Sequence, residues 1–210
     1  MKRNMVSDIT GLNKGLVLDI GSGTGYFGAT MKKAGWLAEG IEINEKAREF
    51  GRSHFGFESA PPDKIASLKS GSFDCITLWH VLEHFHDPFN YVSEIYRLLR
   101  PEGFCIIALP NSSSYDAGYY KRFWAAWDVP RHLWHFSPET FRLFSDKTGF
   151  KYEKMKTLPL DVFYISMLSE KYKGSGVSFI KGMTVATWFA FLSLFNKSKS
   201  SSIIYILRKL

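Results

Sequence analysis

Val17-Leu-Asp-Ile-Gly-Ser-Gly-Thr-Gly25 decides how this chain folds. An apolar run carrying Asp19 leads into Gly21, Gly23 and Gly25, and a helical pattern starts at Tyr26. The stretch reads as a strand, a glycine turn and a helix. Glycine takes positive φ freely and puts no Cβ between the backbone and a ligand. The helix N-terminus behind it offers unpaired N–H groups to a carboxylate or phosphate. Gly23-Thr-Gly25-Tyr-Phe-Gly28 also spells Gly-x-Gly-x-x-Gly, a weak dinucleotide signal by itself. Asp19 adds something a plain dinucleotide loop does not require, an acceptor for an ammonium group or an ordered water.

Outward from this turn, strand and helix patterns alternate. Strands are expected over residues 15–20, 36–43, 55–59, 73–79, 104–109, 150–158 and 202–208. Continuous apolar runs such as the first suit parallel strands buried on both faces. Helices are expected over residues 26–34, 45–53 and 139–148, with a weak one reaching Leu68. Another opens at Asp87-Pro88, an N-cap followed by proline in the first turn. Alternation of this kind gives an α/β fold, a doubly wound and mostly parallel sheet with helices on both faces. Residues 1–210 read as one domain: a core over 15–158, a helical insertion over 159–200 and a last strand over 202–208.

The bulk composition agrees. A chain of 210 residues, 45% hydrophobic and 22% charged, suits one domain with a sizeable core. Cys75 and Cys105 each sit in an apolar strand pattern and read as reduced, buried thiols. With no signal-peptide pattern at the start, the expected location is cytoplasmic. The charge is uneven. Residues 145–210 hold eleven basic and four acidic residues, which is the whole net excess of +7. A basic last third favours anionic partners such as lipid or nucleic acid, although scattered lysines are more often a solvated face.

Four motifs in order resemble one family. Leu18-Asp-Ile-Gly-Ser-Gly-Thr-Gly25, Gly40-Ile-Glu42, Phe73-Asp-Cys-Ile-Thr-Leu-Trp-His-Val-Leu-Glu-His84 and Leu99-Arg-Pro-Glu-Gly103 look like class I S-adenosylmethionine-dependent methyltransferases. The subgroup most resembled holds quinone-biosynthesis O-methyltransferases and bacterial small-molecule enzymes. Trp127-Asp-Val-Pro-Arg-His-Leu-Trp-His-Phe-Ser-Pro138 is similar to bacterial members of it. The resemblance implies seven strands in the order 3-2-1-4-5-7-6, the last antiparallel. It also implies transfer of the methyl group of S-adenosylmethionine to a small acceptor, by O- or C-methylation, leaving S-adenosylhomocysteine.

Site roles carry over residue by residue. Asp19 and the turn Gly21, Ser22, Gly23, Thr24, Gly25 and Tyr26 are expected at the methionine end of the cofactor. Glu42, with Ile43, is expected at the ribose; by spacing alone it suits a nicotinamide ribose equally. Trp79 and His80 should flank the reacting centre, and Asp63, after two prolines, is the acid placed for the adenine. Trp127, Asp128, Arg131, His132 and His135 form the expected acceptor wall, near Trp124 and Trp134. His132 is the first candidate for a general base, followed by His80 and His135. Quinone-type members carry Glu-x-x-Glu-His and are described as magnesium-dependent. This chain has His80-Val-Leu-Glu83-His84, and an imidazole suits magnesium poorly, so no essential metal is expected.

Two features lie outside the motifs. About 14 residues precede the first strand. Many members of the family it resembles carry longer N-terminal helices over the cofactor, so the expectation is that this cover is missing, is supplied by the 161–195 insertion, or belongs to a truncated start. Residues 161–195 are expected to be two helices, the second apolar nearly all round. It reads as a core or lid element, a partner surface or a membrane-interface element; a membrane span ranks last. Peripheral contact with the inner face of a membrane through 161–195 and an apolar, lipid-like acceptor follow as expectations. The rival classes are a nicotinamide oxidoreductase and a non-catalytic S-adenosylmethionine-binding module. No nucleic-acid partner is expected, because no base-stacking motif lies beside an arginine cluster.

Overall fold

A computed structural model describes residues 2–210. Seven strands form one sheet: β1 (Leu16–Ile20), β2 (Leu37–Ile41), β3 (Ser59–Ala60), β4 (Phe73–Trp79), β5 (Leu99–Pro110), β6 (Lys151–Thr157) and β7 (Ser202–Arg208). Their order is β3-β2-β1-β4-β5-β7-β6, with β7 antiparallel to both neighbours. This is the architecture expected. β1 and β4 sit at the centre and are almost wholly buried, which explains their mostly apolar sequences, broken only by Asp19 in β1 and by Asp74 and Thr77 in β4. Their register sets Asp19 beside Thr77 on one side, and the pairing of β1 with β2 sets it beside Gly40 on the other.

The helices flank the sheet: α1 (Lys2–Thr10), α2 (Tyr26–Lys33), α3 (Glu45–Phe55), α4 (Pro88–Leu98), α5 (Tyr115–Tyr120), α6 (Pro138–Asp146), α7 (Asp161–Tyr172) and α8 (Ser178–Phe195). Local chemistry starts several of them. Asn44 and Asp87 accept from the backbone N–H groups of Ala47 and Asn90, and Ser137 closes a capping box with Thr140. α4 then buries Val92, Ile95 and Leu98 against the sheet, the spacing expected of one apolar face.

Three elements depart from the expectation. The third strand is two residues long, not residues 55–59. Phe55 ends α3, Gly56 caps it at φ 61°, and Phe57 turns inward instead of pairing. α1 went unread, because its sequence is mostly polar; Met5 and Val6 alone bury its inner face. α5 also went unread, being six residues between a strand and a tryptophan-rich loop.

Phe57 has a structural task. Its ring is fully buried beneath the glycine turn, and a Cβ on Gly25 or Gly40 would come within 2.6 Å of it. A Cβ on Gly28 would overlap the same ring. Gly28→Ala gains about 1 kcal/mol of helix propensity, but the overpacking dominates. We expect a net loss of about 1–3 kcal/mol in urea denaturation, with unchanged stability as the contrary result.

Candidate active site

Two cavities open at the C-terminal ends of the parallel strands. One, about 590 Å³, lies against Gly21, Glu42, Ile43, Pro62, Trp79 and Val81. The other, about 340 Å³, lies between the Ala125–His132 stretch and α7. His80 lines both.

Gly21, at the start of the glycine turn, and the end of β2 line the first cavity, while Gly23 and Gly25 stand outside its wall. Gly21, Gly23 and Gly25 all take positive φ, 70°, 54° and 74°. The Glu42 carboxylate accepts from the Gly23 N–H at 2.8 Å and from the Asn44 N–H at 2.7 Å. The two bonds orient it and leave further lone pairs for a sugar's hydroxyls. Asp19 is 2% exposed behind the turn and accepts from the Thr77 hydroxyl at 2.6 Å. Burial pushes its carboxyl up to about 7, against the pull of the Thr77 bond and the nearby Lys2 ammonium. A buried acid so poorly compensated is set to receive a cation.

Lys2 was not anticipated. Its ammonium sits 4.4 Å from the centre of the Trp79 ring, and burial lowers its own pKa. No motif marks it; α1 carries it there by packing on the sheet. α1 thus reaches the end of β4 through Lys2, although none of its residues lines either cavity.

Other expected contacts divide. Ile43 and Trp79 line the first cavity. Ser22 turns inward to the Ser59 hydroxyl at 2.7 Å. Thr24 is exposed, and Tyr26 stands edge-on to Phe55, outside the cavity. Asp63 is exposed as well, and Pro62 takes the cavity wall in its place, because the turn Pro62–Ser67 directs the acid outward.

The second cavity centres on Glu83, which is 1% exposed, with neither carboxylate oxygen hydrogen-bonded among the described residues. His80 Nδ1 is 3.5 Å from it and His132 Nε2 is 4.0 Å away. His80 holds φ 60° at the end of β4, a sparsely populated conformation for a residue with a Cβ. Its Nε2 meets Asp161 Oδ2 at 2.9 Å, an ion pair between the sheet and the start of α7. Burial alone would depress this imidazole, but its contacts with Asp161 and Glu83 outweigh that and lift it from 6.5 to about 9. His80 is therefore an imidazolium at neutral pH, a donor and not the base considered above.

His132 has the opposite character. Its Nδ1 is 2.8 Å from the Ala126 carbonyl, so that nitrogen must carry the proton. Nε2 is left as an acceptor, 3.8 Å from Asp128 Oδ2. Burial lowers its pKa, outweighing the nearby acids, so it is neutral at pH 7. Asp128 and Arg131 pair at 2.7 Å and also line this cavity. His135 and Trp127 do not. His135 Nε2 bonds the Trp127 carbonyl at 2.9 Å and the two rings stack edge-on, outside the wall. Trp124 is core, its indole N–H bonded to buried Asp116 at 2.7 Å.

A family model described as a methyltransferase domain matches residues 7–155, and the chain belongs to that methyltransferase family. Within it, the ubiquinone biosynthesis O-methyltransferase of Aromatoleum aromaticum is 38% identical over 95 residues, 41% of this chain and 40% of that protein. Its counterpart in Thiobacillus denitrificans is 30% identical over 105 residues, 47% of this chain and 45% of that protein. The chain therefore spans less than half the length of these relatives. A SAM-dependent methyltransferase from Archaeoglobus fulgidus has the same fold, with TM-score 0.63 and 20% identity over 99% of this chain and 90% of its own. The cyclase SpnF superposes with TM-score 0.68 and 17% identity over 99% and 79%. One fold serves several chemistries, so function rests on the site.

The first cavity fits S-adenosylmethionine: an oriented carboxylate for the ribose, a glycine turn for close approach and a buried acid for positive charge. Magnesium fits less well. Glu83, His84 and His132 bring ligand atoms within 4.8 Å of one another. The set has one carboxylate and two imidazoles, whereas magnesium takes oxygen ligands. The His80 imidazolium already supplies a positive charge beside Glu83. We expect dialysis against EDTA to leave turnover unchanged; loss of activity restored by added magnesium is the contrary result.

The His80–Asp161 pair has a definite pH sign. Because the folded pKa lies above the unfolded one, its stabilisation is complete below 6.5 and lost as pH rises through about 9. The melting temperature should fall across that window, and Asp161→Asn should flatten the fall. An identical pH profile for the variant would show that the pair contributes nothing.

Proposed function

We propose that this protein transfers the methyl group of S-adenosylmethionine to a hydroxyl of a small, largely apolar acceptor, with His132 as the base. One observation carries the reading: the cavity beside Glu42 and Gly21 and the cavity between Ala125–His132 and α7 share His80 in their walls. Bound S-adenosylmethionine supplies a methyl carbon activated by its sulfonium charge. The chain's residues provide the remaining requirements. Asp19 favours positive charge behind the turn, and Glu42 holds the ribose. Leu160, just before α7, and the α7 residues Ile165 and Leu168, with Ala125 and Ala126, give the acceptor an apolar wall that excludes water. Alignment of donor and acceptor is the largest contribution expected of such a site.

An oxygen acceptor suits the neutral His132, whose free Nε2 can take a hydroxyl proton. The relatives named as O-methyltransferases support the same choice. A nicotinamide oxidoreductase would share the glycine turn but has no use for Asp19. Two free, buried cysteines agree with a cytoplasmic setting.

Calorimetric titration should show S-adenosylhomocysteine binding and no comparable binding of NAD. With a phenolic acceptor, His132→Ala should lower kcat by about 10²-fold or more while leaving S-adenosylhomocysteine affinity intact. Near-normal turnover in the variant would overturn the base, and preference for NAD would overturn the cofactor.

A further inference from the structure

α8 lies outside the residues the family model matches, and methyl transfer gives it no role. It is 18 residues long with mean hydropathy 1.4, yet only 17% of it is buried. The buried side is held by protein. A Cβ on Gly182 would come 2.6 Å from the Met167 Cα, so α8 crosses α7 in close backbone contact, and Ala186 is also fully buried.

The opposite side is an exposed stripe. Ile180, Trp188, Phe191, Leu194 and Phe195 fall on one face at helical spacing, with Leu194 and Phe195 about three-quarters exposed. Thr184 and Thr187 lie among them, but their hydroxyls donate to the carbonyls of Ile180 and Met183 at 2.6 and 2.8 Å. Ser193 does the same to Phe189 at 2.8 Å. The stripe thus presents methyl and aromatic carbon with its hydroxyl donors already satisfied, the condition a polar residue must meet to enter lipid.

Charge identifies what covers it. Residues 171–210 contain five lysines, Lys171, Lys173, Lys181, Lys197 and Lys199, then Arg208 and Lys209, and no acid. Lys171 precedes the stripe, Lys181 edges it and Lys197 follows it; all three are exposed and make no ion pair among the described residues. A second copy of the chain would bring like charges together around the apolar stripe. An anionic surface takes both the lysines and the stripe.

We infer that α8 docks this protein on an anionic lipid bilayer, lying in the interface with Trp188, Phe191 and Phe195 inserted and Lys171, Lys181 and Lys197 on the headgroups. Docking sets α7 behind it, and with it the acceptor cavity, whose exposed wall residues Leu160 and Tyr164 stand at the start of that helix and in its first turn. The inference is independent of the reaction, because it concerns binding alone.

The test is cosedimentation of the full chain with vesicles of phosphatidylcholine alone or of phosphatidylcholine with phosphatidylglycerol. Binding should require phosphatidylglycerol and weaken with salt. Trp188→Ser/Phe191→Ser/Phe195→Ser, whose folding is checked by circular dichroism, should lower binding at least tenfold. Should that variant misfold, Lys171→Gln, Lys181→Gln and Lys197→Gln test the same surface, each weakening binding roughly fivefold. Equal binding to both vesicle types, or no effect of the lysine variants, overturns the inference. So does a dimer of the wild type that ignores vesicles and dissociates in the triple variant, since a second copy would then cover the stripe.

Discussion

The Phe57 ring under the glycine turn is the constraint on which the rest depends. Gly25, Gly28 and Gly40 come from the turn, α2 and β2, and all three leave out a side chain where the ring lies. Close packing of this kind tolerates little change in volume. It holds the turn against the end of β2, and so places the Gly23 N–H on the Glu42 carboxylate. Asp19 lies buried behind the same turn, away from water. The raised pKa of Asp19 is then a consequence of packing, and a cationic ligand is what restores the balance.

A second joint connects this rigid half to the acceptor side. β4 ends at Trp79, and His80 leaves it with positive φ, which directs the imidazole between Glu83 and Asp161. One residue thereby touches the cofactor cavity, the acceptor cavity and the start of α7. Its positive charge compensates the buried Glu83 and binds the insertion to the sheet. His132, a few ångströms away, stays neutral because burial dominates there and its Nδ1 is tied to a carbonyl. Two histidines of one cluster thus take opposite charge states.

Much of this was legible in the residues. β1, β4 and β7 are mostly apolar because both their faces are covered, and α4 and α6 carry their caps in the sequence. Glu42 and the glycines were legible for the same reason: their roles depend on near neighbours in the chain. Asp63, Tyr26 and His135 were misplaced because direction, and not spacing, decides whether a side chain faces a cavity. Lys2 and Phe57 carry no local signal at all. Each matters through what another element places beside it.

The sequence by itself determined the alternation of strands and helices, the glycine turn and the acids around it. These follow from backbone freedom, apolar periodicity and capping, which act over a few residues. Tertiary structure alone decided that the two histidines are shifted in opposite directions, and that α7 walls the second cavity while α8 faces outward. Protonation depends on burial and on charges distant in sequence, such as Asp161 for His80, and exposure depends on what packs alongside. An apolar helix reads the same in sequence whether it is buried or bare; its contact with α7 on one side, and nothing on the other, settles which face is which.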